Sequence, residues 1–429
     1  RQTPDIGVAV TSPGSIDSND RLPPAFWRQF AASTTSNLGD GMVAAAAPLL
    51  ALSLTDDARM ISAVSFAAML PWLVLSLPAG VFIDRHDRKR IMTLANMVRA
   101  ALFGLLAVSI VAGVITIWIL LLVALLLAIC EVFFDMSAQA FLPAIVEGHQ
   151  LERANGRLYA AEVAANSFVG LPVGAWLFVV AAATPFGIQA VALAIAALLL
   201  ASIRVARPFA GSTDSTSYRE SFLTGFRWLW HHPLLRTLAL MLGAANMCHM
   251  FAQSVLAKYV RDELGLGPRG FGLLLATAAI GSILGGLVGS RVARRLGPSV
   301  AVVVSYTMFA ALEIIPAVLP RVWAVVIAGS LMAVFGTVWN VITVSLRQRL
   351  IPQELFGRVN SVYRFIGTGS TALGAIIGGQ IAFYFGLRAT YVASAALLGT
   401  VLLVGAPRLL RHSRTYMAPE RTPAPPSIT

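Results

Sequence analysis

The chain has 429 residues, of which 57% are hydrophobic and 12% are charged, and it carries a formal net charge of +12. A soluble chain has about 25% charged residues. This composition therefore excludes an ordinary water-soluble protein and indicates lipid as the outer solvent. The positive charge does not require a nucleic-acid partner, because membrane proteins concentrate Lys and Arg in their cytoplasmic loops. Cys130 and Cys248 both lie in apolar stretches, which favours packing roles over a disulfide or a metal site.

Apolar segments of about 20 residues are candidate membrane-spanning helices, and the chain has twelve of them. In chain order we predict spans over roughly 29–52, 61–83, 91–113, 117–140, 157–181, 185–204, 234–258, 270–290, 299–319, 322–346, 359–384 and 387–406. The sequence therefore predicts an all-α integral membrane protein with two six-helix halves, residues 26–204 and 234–407, joined by a cytoplasmic linker, residues 205–233. The polar ends, residues 1–25 and 408–429, are predicted to be disordered.

The linker contains the stretch "YRESFLTGFRWLWHH", in which aromatic residues recur every four positions. Phe222, Phe226 and Trp230 would share one face of a helix, and Arg219 and Arg227 lie between them. This pattern is typical of an amphipathic helix that lies on the surface of a membrane.

The basic residues predict the orientation of the twelve spans. If the N-terminus lies inside, the tails and the inner loops hold 25 of the 32 Lys and Arg residues, and the outer loops hold six. This asymmetry favours a multi-pass protein of the cell's inner or plasma membrane with both termini in the cytoplasm.

The two halves are related by an internal repeat. The stretch "GVFIDRHDRKR", which begins at Gly80, has an echo in "GLVGSRVARRL", which begins at Gly286. Arg153 in "LERANGRL" is matched by Arg358 in "LFGRVNSV", again about 205 positions later. The chain is therefore predicted to be a duplicated six-span unit whose two copies share one orientation.

These motifs resemble the major facilitator superfamily of transporters over nearly the whole chain. The signature of that family between spans 2 and 3 is G-x-x-x-D-R-x-G-R-[RK], and this chain has Gly80, Asp84, Arg85, Arg88 and Lys89 at the matching positions, with Asp87 in place of the second glycine. The stretch "FFDMSAQAFLPAIV" followed by "LERANGRL" resembles the twelve-span drug:proton antiporters, which include macrolide, tetracycline and siderophore exporters. The resemblance implies a monomer that needs no cofactor or metal and that exchanges a small molecule for protons within the membrane lipids.

The simplest interpretation of the charged loop is an orientation signal, but Asp84 adds nothing to such a signal. In the family that the sequence resembles, the Asp at this position meets the N-terminus of span 11, where free N–H groups favour an anion. The basic residues pair with acids across the cytoplasmic seam between the halves. We therefore predict that the loop is a latch that closes the inner side of the outward-facing state. The second copy has Ser290 at the position of Asp84, so one half alone would carry the acid.

Charged residues inside a membrane are costly and need an explanation. Asp40 lies midway along span 1, Glu131 and Asp135 lie in span 4, and Glu313 lies in the outer part of span 9. Glu131 and Asp135 are four residues apart and share a helix face. Two carboxylates in a low-dielectric cavity cannot both ionise cheaply, so the pair is a candidate proton carrier. The alternative is that one of them pairs with a basic residue such as Arg99. For Arg99 itself, snorkelling to the cytoplasmic surface is a sufficient explanation.

The repeat pairs Asp40 with Asn246 and Asp135 with Asn340, so at these two positions the first half has an acid and the second half has the corresponding uncharged amide. The family places spans 1, 4, 7 and 10 around a central cavity. We interpret the pattern as a division of labour, in which the first half handles protons and cationic groups and the second half supplies neutral hydrogen bonds. Chance pairing of polar residues is the alternative. His249, near Asn246, is expected to be a packed neutral residue rather than a titrating one.

Span 5 contains "GLPVGA", in which Gly170, Pro172 and Gly174 resemble a reduced form of the antiporter motif G-x-x-x-G-P-x-x-G-G. Small residues allow close backbone approach and a proline kinks a helix. We expect these residues at the interface between the two halves. Generic helix packing is an equally good explanation.

The sequence favours proton-coupled efflux of a lipophilic, cationic or zwitterionic small molecule by alternating access. An uptake symporter or uniporter for a polar metabolite shares the fold, and a siderophore or lipid-like metabolite exporter is a further alternative. An intramembrane enzyme is disfavoured because the chain has no H-E-x-x-H, G-x-S-x-G or Walker A motif. A sensor that transports nothing stays open.

Overall fold

The computed structural model describes residues 22–203 and 218–416. Within these ranges it has twelve helices that are long and apolar enough to cross a membrane, which confirms the predicted spans. In the N-terminal half, spans 1 to 4 are Pro24–Leu54, Ala58–Arg85, Arg88–Val111 and Ile117–Ile145. Span 5 is made of three joined segments, Leu151–Glu162, the π-helical Val163–Gly170 and Leu171–Val180, and span 6 is Thr184–Ala201.

The C-terminal half begins after a linker helix, Tyr218–His231. Span 7 is Pro233–Gln253 and is followed by a short helix, Leu256–Asp262. Span 8 is Pro268–Leu296, and span 9 is Pro298–Glu313 with a final turn at Ile315–Val318. Spans 10, 11 and 12 are Val322–Leu350, Gln353–Phe385 and Leu387–Tyr416.

The ends of the described chain differ from the prediction. Span 1 begins at Pro24, and Leu22 and Phe26 are both buried in the core of the N-terminal half. Span 12 continues past Pro407 to Tyr416, and Leu409 is buried against the core of the C-terminal half. The predicted tails are therefore shorter than expected, because apolar side chains anchor these polar segments. Residues 1–21, 204–217 and 417–429 lie outside the described residues.

The linker helix packs one face on span 11. The ring of Phe222 meets the ring of Phe365 edge to face, with 5.6 Å between their centres. Gly225 lies so close to the backbone of Arg358 that a Cβ there would overlap it. Phe226 and Trp230, which follow Phe222 at four-residue spacing, stack on each other and are exposed. The predicted amphipathic helix is present, and its exposed aromatic rings suit a lipid surface.

Each half is a helix bundle. One end of the molecule contains the linker helix and the start of span 1, and at this end each half has its own apolar core. We call this the basic end, and the other the far end. At the basic end, one apolar cluster belongs to the N-terminal half and a separate one to the C-terminal half. At the far end a single cluster joins both halves, with buried residues that include Leu50, Ile61, Ala175, Leu256, Phe271 and Val325.

The contacts between the halves run along span 2 with span 11 and along span 5 with span 8. At the far end the Arg59 guanidinium lies 3.7 Å from the ring centre of Phe383. Asp56, in the loop between spans 1 and 2, accepts a hydrogen bond from Arg261 in the short helix after span 7. That hydrogen bond and the positive charge of Arg261 lower the pKa of Asp56. Among the described residues, the halves are thus joined at the far end and keep separate cores at the basic end.

Candidate functional site

A buried ion pair lies at the centre of the N-terminal half. The Arg99 guanidinium on span 3 donates from Nη2 to Oδ1 of Asp40 on span 1, at 2.7 Å. Gln189 on span 6 donates from Nε2 to the same oxygen at 2.6 Å, and Ser36 donates from Oγ to Oδ2 at 3.2 Å. The side chain of Arg99 is only 4% exposed and that of Asp40 is 24% exposed. The charge of Asp40 is therefore compensated inside the protein by three donors.

Span 4 brings two more carboxylates to this cluster. Glu131 and Asp135 lie one helical turn apart on span 4, near enough to Arg99 for electrostatic attraction. We call Asp40, Arg99, Glu131 and Asp135 the ion cluster. In this part of the described chain it holds three acids and one base. If all three acids ionised, the cluster would carry a surplus of negative charge in a low-dielectric surrounding, which is costly.

The snorkelling prediction for Arg99 is wrong. Arg99 lies in the middle of span 3 and is buried, because three acids on spans 1 and 4 attract it there. Sequence reasoning also missed Gln189, which is fully buried and holds Asp40. A polar amide within an apolar span was the available signal, since a buried amide needs hydrogen-bond partners. Asp40 is therefore the partner of a buried arginine, and the interpretation that the first half handles cationic groups stays a prediction.

In the C-terminal half, Asn246, Asn340 and Glu313 line one cavity of about 650 Å³, and His249 lines it as well. Asn246 also donates from Nδ2 to the carbonyl of Gly367 on span 11, at 3.2 Å. Glu313 is 1% exposed and accepts a hydrogen bond from Ser394 Oγ at 3.0 Å. These three sequence-predicted residues thus come together, but in the second half and apart from the ion cluster of the first.

A second cavity, of about 460 Å³, lies between the halves. Trp72 of span 2 contributes one wall, and Arg347 of span 10 and Arg364 of span 11 contribute to the other. The Arg364 guanidinium lies 5.8 Å from the ring centre of Trp72. Arg347 donates to Asn360 Oδ1 at 3.2 Å. The groove between the halves therefore carries positive charge, which none of the sequence motifs indicated.

The charged loop after span 2 is held to its own half by basic side chains. Arg88 donates from Nη1 to the carbonyl of Ala140 near the end of span 4, at 2.8 Å. Lys89 donates from Nζ to the carbonyl of Ile203 after span 6, at 2.7 Å. Arg85 is exposed at the end of span 2 and Gly80 is buried within it. These contacts fix the loop against spans 4 and 6.

The aspartates of the loop have different outcomes. Asp87 caps the N-terminus of span 3, where its carboxylate accepts hydrogen bonds from the backbone N–H groups of Lys89 and Arg90. Its φ of −67° suits any residue, so the turn does not need the glycine of the family motif. The side chains of Asp84 and Ser290 lie outside the described part of the structure, and the latch stays a prediction.

The glycines of span 5 lie against span 1, and the expectation that they sit between the halves is wrong. A Cβ at Gly174 would overlap the backbone of Met42, and one at Gly170 would meet the backbone of Gly41. The two helices approach so closely because small residues face each other. Pro172 follows a π-helical stretch, where its missing N–H removes one helical bond. Other residues of this segment, Leu171 and Ala175, face Gly272 of span 8.

Comparison with known proteins identifies the fold. The sequence model of the family described as transmembrane secretion effector matches residues 23–428. The chain belongs to this family of major facilitator superfamily transporters. It is 30% identical over 412 residues to the multidrug efflux pump Tap of Mycolicibacterium fortuitum, an alignment that covers 91% of this chain and 98% of Tap. It is 26% identical over 390 residues to the enterobactin exporter EntS of Escherichia coli, covering 89% of this chain and 90% of EntS.

Solved structures agree on the architecture of this transporter. The nucleoside transporter NupG superposes with a TM-score of 0.72 at 11% identity, and the alignment covers 90% of this chain and 99% of NupG. A bacterial homologue of the iron transporter ferroportin, solved in an inward-facing state, gives a TM-score of 0.69 at 18% identity and covers 90% and 99%. At these identities the likeness concerns the fold alone.

Proposed function

We propose that this transporter exports lipophilic small molecules with a cationic or zwitterionic character in exchange for protons. It works by alternating access, in which one six-span half rocks against the other. The driving force is the proton gradient, with no cofactor. The protein acts as a monomer in the inner membrane, with its partners limited to the small molecule, protons and lipids.

The observation that carries this proposal is the surplus of acids in the ion cluster. Arg99 can neutralise one carboxylate, and Asp40 already holds its guanidinium at 2.7 Å. Glu131 and Asp135 are then attracted by Arg99 without a second base to neutralise them. An ionised carboxylate without a counter-charge costs free energy in a membrane interior. Protonation of one carboxyl group of the pair lowers that cost. A group that binds a proton in one state of the transporter and releases it in another couples transport to the gradient.

Alternating access is supported by the arrangement of the two halves. Their shared core and the Asp56–Arg261 ion pair lie at the far end, and their separate cores lie at the basic end. The excess of Lys and Arg supports a cytoplasmic location for the basic end. On this assignment the structure is the inward-facing state. The loop after span 2 and its Asp84 would then close the cytoplasmic side in the opposite state.

Export as the direction is supported by the relatives, since Tap is a multidrug efflux pump and EntS is an enterobactin exporter. Both are similar to this chain over nearly its full length. A lipophilic substrate suits a transporter whose larger cavity is lined mostly by apolar and aromatic side chains, among them Tyr306, Phe309 and Trp339.

The proposal is tested with purified protein in liposomes that contain DNA and an acidic lumen. Ethidium, a lipophilic cation, fluoresces when it enters and binds the DNA. An antiporter releases lumenal protons and accumulates ethidium, whichever way the protein is inserted. We expect accumulation by the wild type and little or none by the double variant Glu131→Gln, Asp135→Asn. The control is Glu220→Gln, an exposed acid on the linker helix. Accumulation by the double variant equal to that of the wild type would exclude these acids as proton carriers.

Export of an acidic metabolite is the second candidate, and the groove between the halves favours it. Arg347 and Arg364 both line the 460 Å³ cavity, where they could bind a carboxylate or a phenolate. A siderophore is one molecule of this kind, and EntS exports one. In the same liposomes, a lipophilic acid is added as a competitor of ethidium. If it slows ethidium accumulation by the wild type but not by Arg364→Ala, the result would support this candidate over a purely cationic substrate.

A further inference from the structure

The cavity of the C-terminal half lies inside one bundle rather than between the halves. It is lined by residues of spans 7, 8, 9 and 10 and by Tyr391 of span 12. Its volume of about 650 Å³ falls in the range of pockets for drug-sized ligands, about 300–1,000 Å³. Protein interiors are normally packed with few voids larger than a water molecule. Leu242 and Asn246 line both this cavity and the groove between the halves, so the two spaces share a wall.

The internal repeat explains why this half has a cavity. At offsets of 205 or 206 positions, the repeat pairs Asp40 with Asn246, Arg99 with Ser305, Glu131 with Gly336, Asp135 with Asn340, and Gln189 with Ser394. In every pair the second half has a neutral residue, and in three of the five a clearly shorter one. Asn246, Ser305, Gly336 and Asn340 line the cavity, and Ser394 bonds to Glu313. The space that the long charged side chains fill in the first half is therefore open in the second.

Glu313 is an acid that occurs in the second half alone, because the repeat places Ala107 at the matching position of the first half. Its Oε1 accepts from Ser394, and its Oε2 has no hydrogen-bond partner among the described residues. Nor does a Lys or Arg of the described chain form an ion pair with it. Trp339 lines the same cavity, and its indole N–H has no partner either in the described part. Buried polar groups are normally hydrogen-bonded, so the wall of the cavity holds one acceptor and one donor that lack the partners a ligand could supply.

We propose that this cavity is a binding site for the amine end of a lipophilic organic cation, with Glu313 as its counter-charge. Tyr306, Phe309 and Trp339 line the cavity with aromatic rings, which attract a cation and an apolar body alike. Trp339 supplies an N–H group for an acceptor on the ligand. This site rests on the proposed efflux function and deepens it, because it places recognition of the cation in the second half, apart from the ion cluster of the first.

The test is binding to the purified full-length protein in detergent, where no proton gradient exists. The first probe is dansylcadaverine, a fluorescent naphthalene sulfonamide with a primary ammonium group on a five-carbon chain. The second is its analogue with a hydroxyl group in place of the amine. We expect Glu313→Gln to lower the affinity for the ammonium probe about tenfold or more, because removing one member of a desolvated charge pair is costly. The affinity for the hydroxyl probe should fall less than about twofold. Equal losses for both probes, or no loss, would overturn the proposal.

A second variant tests the cavity without touching a charge. Gly336 lines the cavity, and a Cβ built there meets no atom within 4 Å, so Gly336→Leu extends into open space. We expect it to weaken both probes about equally. The matched control is Gly357→Leu at the start of span 11, where a Cβ is equally free. Wild-type binding of both probes to Gly336→Leu would place the site elsewhere.

The inference and the proposed function can fail separately. Binding that depends on Glu313 in a protein without pH-driven transport would support the site and contradict proton coupling. Proton-driven ethidium transport, together with amine binding that does not change in Glu313→Gln, would support proton coupling and contradict the site.

Discussion

For the variant Asp40→Asn, the sequence repeat and the structure predict opposite effects on stability. The repeat already has Asn246 at the matching position, and loss of a carboxylate from a membrane interior should favour the folded state. The structure predicts the opposite result. Asp40 is the hydrogen-bonded partner of Arg99, whose side chain is 4% exposed. Asp40→Asn leaves that guanidinium without its bonded counter-charge.

The magnitude follows from the burial of the pair. Breaking a buried ion pair by removing one partner costs about 3–5 kcal/mol. Glu131 and Asp135 remain near Arg99 and take over part of the compensation. We therefore expect a loss of about 2 kcal/mol in the free energy of unfolding. For a half of this size that lowers the melting temperature by about 4–8 °C.

Glu313→Gln is the matched comparison. Glu313 is also buried, but its bonded partner is the neutral hydroxyl of Ser394, and the Gln carbonyl can accept the same hydrogen bond. Its melting temperature should equal or exceed that of the wild type. Thermal unfolding of purified protein in detergent, followed by tryptophan fluorescence, measures both variants. The double variant Asp40→Asn, Arg99→Met should regain stability. If Asp40→Asn melts no lower than Glu313→Gln, the ion pair does not stabilise the half.

Three further outcomes are expected. Asp84→Asn should insert normally but increase labelling of cysteines at the basic end and slow transport, because the proposed latch loses its acid; unchanged labelling with full transport would exclude the latch. Asp56→Asn should loosen the far end, as would acidification. Arg261 lowers the pKa of Asp56, so its stabilising contribution should hold from neutral pH to below about 4 and be lost only as pH falls through that depressed value; spin-label distances between the far-end loops measure this, and a loss near pH 6 would contradict it. Gly174→Leu should abolish folded protein on size-exclusion chromatography, because the new side chain overlaps the backbone of Met42; a monodisperse variant would contradict the tight contact.

The twelve spans could be predicted because lipid imposes simple rules on the sequence. A helix must be long and apolar enough to cross the bilayer, and that pattern can be read locally. The ends were less certain, since Leu409 is buried beyond a proline in a segment rich in arginine. Local polarity suggested a tail there, whereas tertiary packing extended the helix.

The site was only partly predictable for a related reason. Spacing shows that Glu131 and Asp135 share a face of their own helix, but it does not show which neighbouring helix that face meets. Arg99 and Gln189 belong to spans 3 and 6, and only the packing of the bundle brings them to Asp40. The amide positions Asn246 and Asn340 were found through the repeat. The cavity that they line could not be found this way, because it depends on volume that the second half leaves empty.

Proton antiport is tested by following proton movement during transport without an imposed pH gradient. Liposomes containing DNA and a pH-sensitive dye start at equal pH on both sides, and ethidium is added outside. If the protein is a proton antiporter, ethidium entry drives protons out, so the lumen of wild-type liposomes becomes alkaline. The lumen should stay near its starting pH with the variant Glu131→Gln, Asp135→Asn. Ethidium entry into wild-type liposomes with no change in lumenal pH, or with acidification, would contradict proton antiport.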